Sequence, residues 1–507
     1  MSEKKDMASL AKDTVIYGAS SIIGRFLNWM LVPLYTYVLE RSADYGIVTN
    51  LYAWTALLLV ILTYGMETGF FRFVNKQEEA TNSVYTTAMT SIAFTSALFV
   101  FLVWLFRYGI ANGLGYSGHE EFLVYMAITV SCDAFACIPF AYLRYKKRPI
   151  KFALLKLLFV VLNIGFNLFF LVACPYINKH CPQLISWFYQ PDYGVGYVFL
   201  SNLLATALQT LCLLPDIFAE HYNFSLGLLK RMLRYSLPLL VLGIAGIMNQ
   251  TVDKMLFPYL NPAILSSDPT ATVNSELGVY GACFKIAMVM MMFTQAFRYA
   301  YEPYVFSKHK DRQSVEAYAD AMKYYIIFSY LIMLGMLVFM DVLKRLIAPS
   351  YWEGMRVVPI VLWTYLFQGV YFNLSFWYKL QDKTQYGAYF SLIGLVITLV
   401  LQVWLVPKIG YIASAASSTV CYFTIMLLSY FIGQKQMPIP YDLKRIGLYT
   451  LLAAGLMAVL YVVKYQFGSM WLTMGVGCVL LFVYAFVVVR LDFPLSGLPV
   501  IGKYFKK

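Results

Sequence analysis

Apolar residues in this chain come in long uninterrupted runs, not in alternation. Runs of about 18 or more residues, enough for a helix to cross a bilayer core, lie near 13–38, 46–74, 84–106, 121–143, 152–173, 194–215 and 232–257. Seven more lie near 278–305, 324–341, 357–378, 386–406, 410–432, 446–463 and 470–489. They predict about 14 transmembrane helices. Barrel strands are excluded, because those alternate over about ten residues. The connecting segments are mostly under about 15 residues, too short to hold a separate soluble domain. The predicted fold class is an all-α polytopic membrane protein.

Composition agrees. Of 507 residues, 60% are hydrophobic and 13% charged, against about a quarter charged in soluble domains; mean hydropathy is +0.65. The net charge of +13 would suggest nucleic acid in a soluble protein. Here the basic residues gather on alternate loops, with Arg144, Lys146, Lys147, Arg148 and Lys151 in one of them. The positive-inside rule then places both termini in the cytoplasm and makes the charge a matter of topology, with no nucleic-acid partner. The first apolar run is too long for a cleaved signal sequence and reads as a retained span.

Six of the eight cysteines sit in apolar runs, where a thiol acts as a small hydrophobe. Cys174 and Cys181 flank one polar loop, and a disulfide or two free thiols are both open there. The four histidines lie far apart in loops, without metal-ligand spacing. No P-loop, HExxH, GxSxG or CxxC pattern stands in a fitting context, so no cofactor is expected.

A weak internal repeat runs through the chain. Tyr45, Gly46, Tyr64, Glu67 and Phe71 return as Tyr280, Gly281, Tyr299, Glu302 and Phe306; Leu10, Lys12 and Tyr17 return as Leu228, Lys230 and Tyr235. Parallel repeats of this kind build transporter halves. The expected organisation is two six-helix lobes related by pseudo-two-fold symmetry, residues 1–220 and 221–435. A terminal helix pair and cytoplasmic tail, 436–507, follow.

Several motifs carry a family resemblance over nearly the whole chain. They are Gly18, Ser20, Ser21 and Gly24 leading to Pro33-Leu34-Tyr35, then Asp44-Tyr45-Gly46, Tyr235-Ser236-Leu237-Pro238 with Asn249, Asp253 and Lys254 following, and Gly278-Val279-Tyr280-Gly281. The chain resembles the polysaccharide transporters, or O-antigen and lipid-linked oligosaccharide flippases, of the multidrug/oligosaccharidyl-lipid/polysaccharide (MOP) exporter superfamily. It departs at Arg41-Ser42-Ala43, where the family often has a proline. The resemblance implies two lobes around a central cavity, alternating access, and a place in the bacterial cytoplasmic (inner) membrane.

An ionisable side chain at the membrane centre costs roughly 2.5–3.5 kcal/mol on insertion scales, so such groups line a cavity or pair. Eight stand inside spans: Arg25, Glu67, Asp133, Asp253, Lys254, Lys285, Arg298 and Glu302. Arg25 accompanies a stripe of Tyr17, Ser21, Gly24 and Asn28; it reads as a guanidinium for a substrate diphosphate or as a structural partner of Asp133 or Glu67. Lys285, Met288, Met292, Gln295, Tyr299 and Glu302 share a face bordered by Arg298. With Asn249 and Gln250 one turn earlier, Asp253-Lys254 offers donors and acceptors to sugar hydroxyls, or forms an interfacial pair. Glu67 and Glu302, each with an arginine nearby in sequence (Arg72, Arg298), read as an inner-gate latch or as snorkelling charges.

The central-cavity candidates for substrate binding are thus Arg25, Asn28, Asn249, Asp253, Lys254, Lys285, Gln295 and Arg298. Glu67, Arg72, Asp133 and Glu302 are the gate or ion-coupling candidates, with Na+ or H+ as the coupling ion. The expected function is a flippase for polyprenyl-diphosphate-linked oligosaccharide, an O-antigen, capsule or exopolysaccharide repeat unit. Its partners are that substrate, membrane lipids and polysaccharide assembly proteins. A cation-coupled multidrug exporter of the same superfamily is the alternative, kept open by Asp133 and Glu67. A membrane-embedded polymerase or ligase is remote, for want of a sizeable external loop and of catalytic motifs.

Overall fold

The computed structural model describes residues 18, 22–39, 41–76, 79–261, 269–307, 314–381 and 383–492. Helix follows helix throughout: α1 Leu31–Val38, preceded by helical 22–29, α2 Ser42–Thr63, α3 Met66–Asn75, α4 Thr81–Leu114, α5 Glu120–Tyr145, α6 Pro149–Leu168, α7 Val195–Cys212 and α8 Leu226–Leu260. After them come α9 Pro269–Ser307, α10 Ser314–Val338, α11 Val358–Leu374, α12 Gln385–Ile409, α13 Tyr411–Gln436, α14 Leu443–Phe467 and α15 Met470–Asp492. Thirteen helical segments among the described residues are long and apolar enough to cross a membrane. They correspond to the second to fourteenth predicted spans; the start of the first lies outside the described residues. The chain is a multi-pass membrane protein.

Lateral surfaces follow the solvent rule of the bilayer, where backbone groups are satisfied inside helices and apolar side chains face lipid. On α4, Phe94, Phe101, Trp104 and Phe106 are all more than half exposed. Interior faces are packed, and where helices approach most closely glycine is required. At the crossing of α2 and α9, a Cβ on Gly46 would lie 1.8 Å from the Asn274 carbonyl oxygen, and one on Gly278 would lie 2.0 Å from that of Ser42.

The chain forms two compact units. The first comprises residues 1–282 and 385–421, the second 283–384 and 422–507. The first unit therefore includes α8, the start of α9 and α12, which the repeat assigns to the second lobe. Within the first unit α8 packs along α12 and α2; within the second, α10 packs against α14, α15 and α11.

Between α2 and α3 the backbone turns left-handed at two successive residues, Tyr64 (φ +31°) and Gly65 (φ +70°). Gly65 takes this at no steric cost. Tyr64 is held by burial and by a 2.7 Å hydrogen bond between its hydroxyl and that of Ser91. The break ends α2 and re-aims α3, whose Met66, Phe70 and Val74 fill the core with Tyr85, Ile138 and Met232.

Candidate functional site

Eight of the candidate residues belong to the first unit and four to the second. Glu67, at the start of α3, forms an ion pair with Arg144 near the end of α5. Arg72 is not its partner; that guanidinium lies over the Tyr235 ring, 4.0 Å from the centroid. Helix geometry explains the difference, because residues five apart point about 140° away from each other on a helix. Arg144 also faces the Phe71 ring at 5.1 Å.

Arg25 is exposed and pairs with neither Asp133 nor Glu67. Asn28 accepts a hydrogen bond from Asn163 Nδ2 on α6 (3.1 Å), and Asn167 donates in turn to Asn163. Gly24 packs on Val160, with its Cβ position 3.5 Å from Val160 Cγ2. The helical stretch 22–29 thus lies along the polar face of α6. Lys156, Asn163 and Asn167 recur on that face at steps of seven and four. The exposed apolar residues Ile150, Leu154, Val161 and Leu168 occupy another.

Asp253 and Lys254 on α8 are buried and paired at 2.8 Å. Tyr280 donates to the Asp253 carboxylate at 2.6 Å, and the Lys254 ammonium also reaches the Gln250 carbonyl (3.4 Å). Asn50 donates to the Lys254 carbonyl and accepts from Tyr116. The network joins α2, α8 and α9, and its carboxylate is committed to protein partners, as a buried charge requires. Asn249 is buried likewise and donates to the Ser391 carbonyl on α12 at 2.9 Å.

In the second unit Lys285 and Gln295 are half-buried, and Arg298 faces the Phe372 ring at 4.9 Å. The Glu302 side chain lies outside the described residues. The same unit holds an apolar cavity of 420 Å³ among α10, α11, α13 and α14, lined by Ile326, Trp363, Phe367, Phe423, Met426 and Phe431 with others of the same kind. Among the described residues, no cluster of three or more His, Cys, Asp or Glu side chains could hold a metal ion. All eight cysteines are free, with Cys174 buried and Cys181 exposed.

Sequence reasoning missed the pairing of Arg144 with Glu67 and the polar stripe of α6, although the spacing of Lys156 to Asn163 and Asn167, a cation on an amide stripe inside a span, was a usable signal for the stripe. Arg144 reads from sequence as one of a cluster of topological charges, and only the fold turns it toward Glu67.

The described residues form a many-span helical bundle with charged side chains inside its spans, an arrangement that membrane transporters share. Comparison with solved structures agrees. The chain is similar to lipid II flippase MurJ in an inward closed conformation (TM-score 0.72, 14% identity, covering 94% of this chain and 99% of that one). It is also similar to an inward-facing multidrug resistance MATE family transporter of the MOP superfamily (TM-score 0.61, 12% identity, 81% and 93% covered). A MATE structure in the straight conformation is a further neighbour (TM-score 0.58, 13% identity, 84% and 95% covered). The fold is that of the MOP-superfamily transporters and flippases.

The polysaccharide biosynthesis protein family, Polysacc_synt, matches residues 10–309, and the chain belongs to it. MatE matches residues 273–404. No curated protein sequence matches the chain.

Proposed function

We propose that the chain is a flippase that moves a polyprenyl-diphosphate-linked oligosaccharide across the bacterial inner membrane by alternating access, with both termini in the cytoplasm. The observation that carries this reading is the apolar cavity of the second unit. Its lining of aromatic, Met, Leu, Val and Ile side chains suits a branched hydrocarbon tail and offers no counter-charge to a cationic drug. Arg25, exposed on the polar seam with α6, supplies the geometry for a diphosphate oxygen pair. Membership of a polysaccharide biosynthesis family and likeness to a lipid II flippase support the same substrate class. The O-antigen, capsule or exopolysaccharide unit is the glycan expected, and Na+ or H+ the coupling ion.

The test is deletion of the gene followed by mass spectrometry of extracted lipids. Accumulation of polyprenyl-diphosphate oligosaccharide with loss of surface polysaccharide is expected, and the mass identifies the glycan. Unchanged lipid-linked sugars with raised sensitivity to cationic drugs would instead support the multidrug exporter, a reading favoured by the MatE match over 273–404.

A further inference from the structure

The segment that joins α7 to α8, residues 213–225, lies across the ends of α4, α5 and α6 and is fixed there by its polar groups. Asp216 is buried and pairs with Lys151 at 2.6 Å, and its carbonyl accepts from the Tyr85 hydroxyl at 2.8 Å. Glu220 accepts from Tyr142 at 2.6 Å and pairs with Lys146 at 3.4 Å. Thr86 donates to the Asn223 carbonyl, and the Ser225 N–H donates to Thr87, each at 3.1 Å. The acids and the main chain of the segment are thus turned toward the first unit.

Its large apolar side chains point the other way. Phe218 is 78% exposed, Leu226 71% and Tyr222 68%, and Leu214 and Phe224 are more than a third exposed. A connecting segment surrounded by water buries its aromatic residues and leaves its carboxylates outside; here that order is reversed. A run of exposed apolar side chains of this size marks an interaction surface. The strip continues onto the sides of the adjoining spans, where Leu211 near the end of α7 and Ile150 and Leu154 at the start of α6 are exposed as well. It therefore extends the lipid-facing surface around the ends of those helices, at the level where a bilayer has its head groups.

The loop between α5 and α6 supplies charge to the same place. Its Lys146 and Lys151 are engaged by Glu220 and Asp216, and Arg144 by Glu67. Lys147 and Arg148, between the two lysines, are exposed and form no ion pair among the described residues. The turn that carries them is fixed, with Lys147 left-handed (φ +54°) and the Arg148 N–H donating to the Leu143 carbonyl at 2.9 Å. Lys230, one turn along α8 from Leu226, is likewise exposed and without an ion pair among the described residues. Cations beside an apolar strip that is continuous with lipid-facing helices fit an anionic phospholipid surface, which takes both.

We propose that residues 213–226 form an interfacial anchor, in which Phe218, Tyr222 and Leu226 seat in the head-group layer and Lys147, Arg148 and Lys230 hold anionic phospholipid beside them. The connection between the two repeats is then held by the first unit on one side and by the bilayer on the other. The anchor does not depend on what the protein transports.

The test uses the full chain with Phe218 or Tyr222 replaced by the photoreactive p-benzoylphenylalanine, in nanodiscs of equal phosphatidylglycerol and phosphatidylcholine. Intact-mass spectrometry after illumination reads which lipid is attached; two positions are used so that a failure to fold at one, judged by thermal unfolding, leaves the other. Phospholipid adducts are expected, with phosphatidylglycerol favoured about fivefold, the weight of one basic residue at an anionic surface. Lys147→Gln/Arg148→Gln/Lys230→Gln should bring that preference within about twofold while lipid adducts persist. Folded protein without lipid adducts at either position would overturn the proposal, as would adducts to a second copy or to another protein in place of lipid when the same variants are illuminated in native membranes. An unchanged preference in the triple variant would overturn the role of the three cations.

Discussion

The crossing of α2 and α9 gives a prediction that follows from backbone geometry alone. Gly46 and Gly278 face each other's helices so closely that a Cβ on either would enter the opposite backbone, at 1.8 Å from the Asn274 oxygen and 2.0 Å from the Ser42 oxygen. A carbon approaches a carbonyl oxygen to about 3.3 Å at closest. Gly46→Ala therefore requires the helices to part by about 1.5 Å. No rotamer relieves the clash, because the obstructing atoms are main chain on both sides. Overpacking of this kind costs about 1–3 kcal/mol, equivalent to a roughly 5- to 150-fold loss in the population of the close contact.

The Ser42 and Ser275 hydroxyls hydrogen-bond at this crossing, so a Ser42→Cys/Ser275→Cys pair should cross-link under mild oxidation in membranes. Gly46→Ala in that background should lower the yield severalfold, and Gly46→Leu should abolish it. Undiminished cross-linking with leucine at position 46 would show that the close approach is not a property of the folded protein.

Lys254→Met leaves Asp253 buried with Tyr280 alone and should cost about 3–5 kcal/mol, whereas the double variant Asp253→Asn/Lys254→Met should lose less; thermal unfolding in detergent compares them, and a single variant no worse than the double would contradict the network. Glu67→Gln should cost no more than about 1 kcal/mol, because both partners of the Arg144 pair are more than a third exposed; a loss above about 2 kcal/mol in the same assay would mean the pair is shielded. At Asp341, burial pushes the carboxyl up, but hydrogen bonds and charge from Lys344 (2.7 Å) and Lys464 (3.1 Å) outweigh it and hold the group below its ordinary value. A depressed carboxylate contributes stability that is present above its unfolded value, about 3.9, and is lost as pH falls through the folded one. Asp341→Asn should thus lower the melting temperature at pH 7 and narrow its gap to the parent in acid. A gap of constant size down to pH 3 would contradict the assignment.

The sequence by itself determined the spans, their number within the described residues, and the absence of room for a soluble domain between them, because a bilayer imposes its thickness on each helix separately. The motif Asp44-Tyr45-Gly46 and its counterpart Gly278-Val279-Tyr280-Gly281 marked the superfamily, and the structure supplies their physical content: Gly46 and Gly278 are where two helix backbones meet. Which charges pair was decided only by tertiary structure. Arg72 stands near Glu67 in sequence, yet Arg144, nearly eighty residues away, is the partner. Local sequence fixes a side chain's depth and its angle around its own helix axis. Which groups come within hydrogen-bond reach depends on the rotation and offset between helices, and these are set by the packing of every span at once.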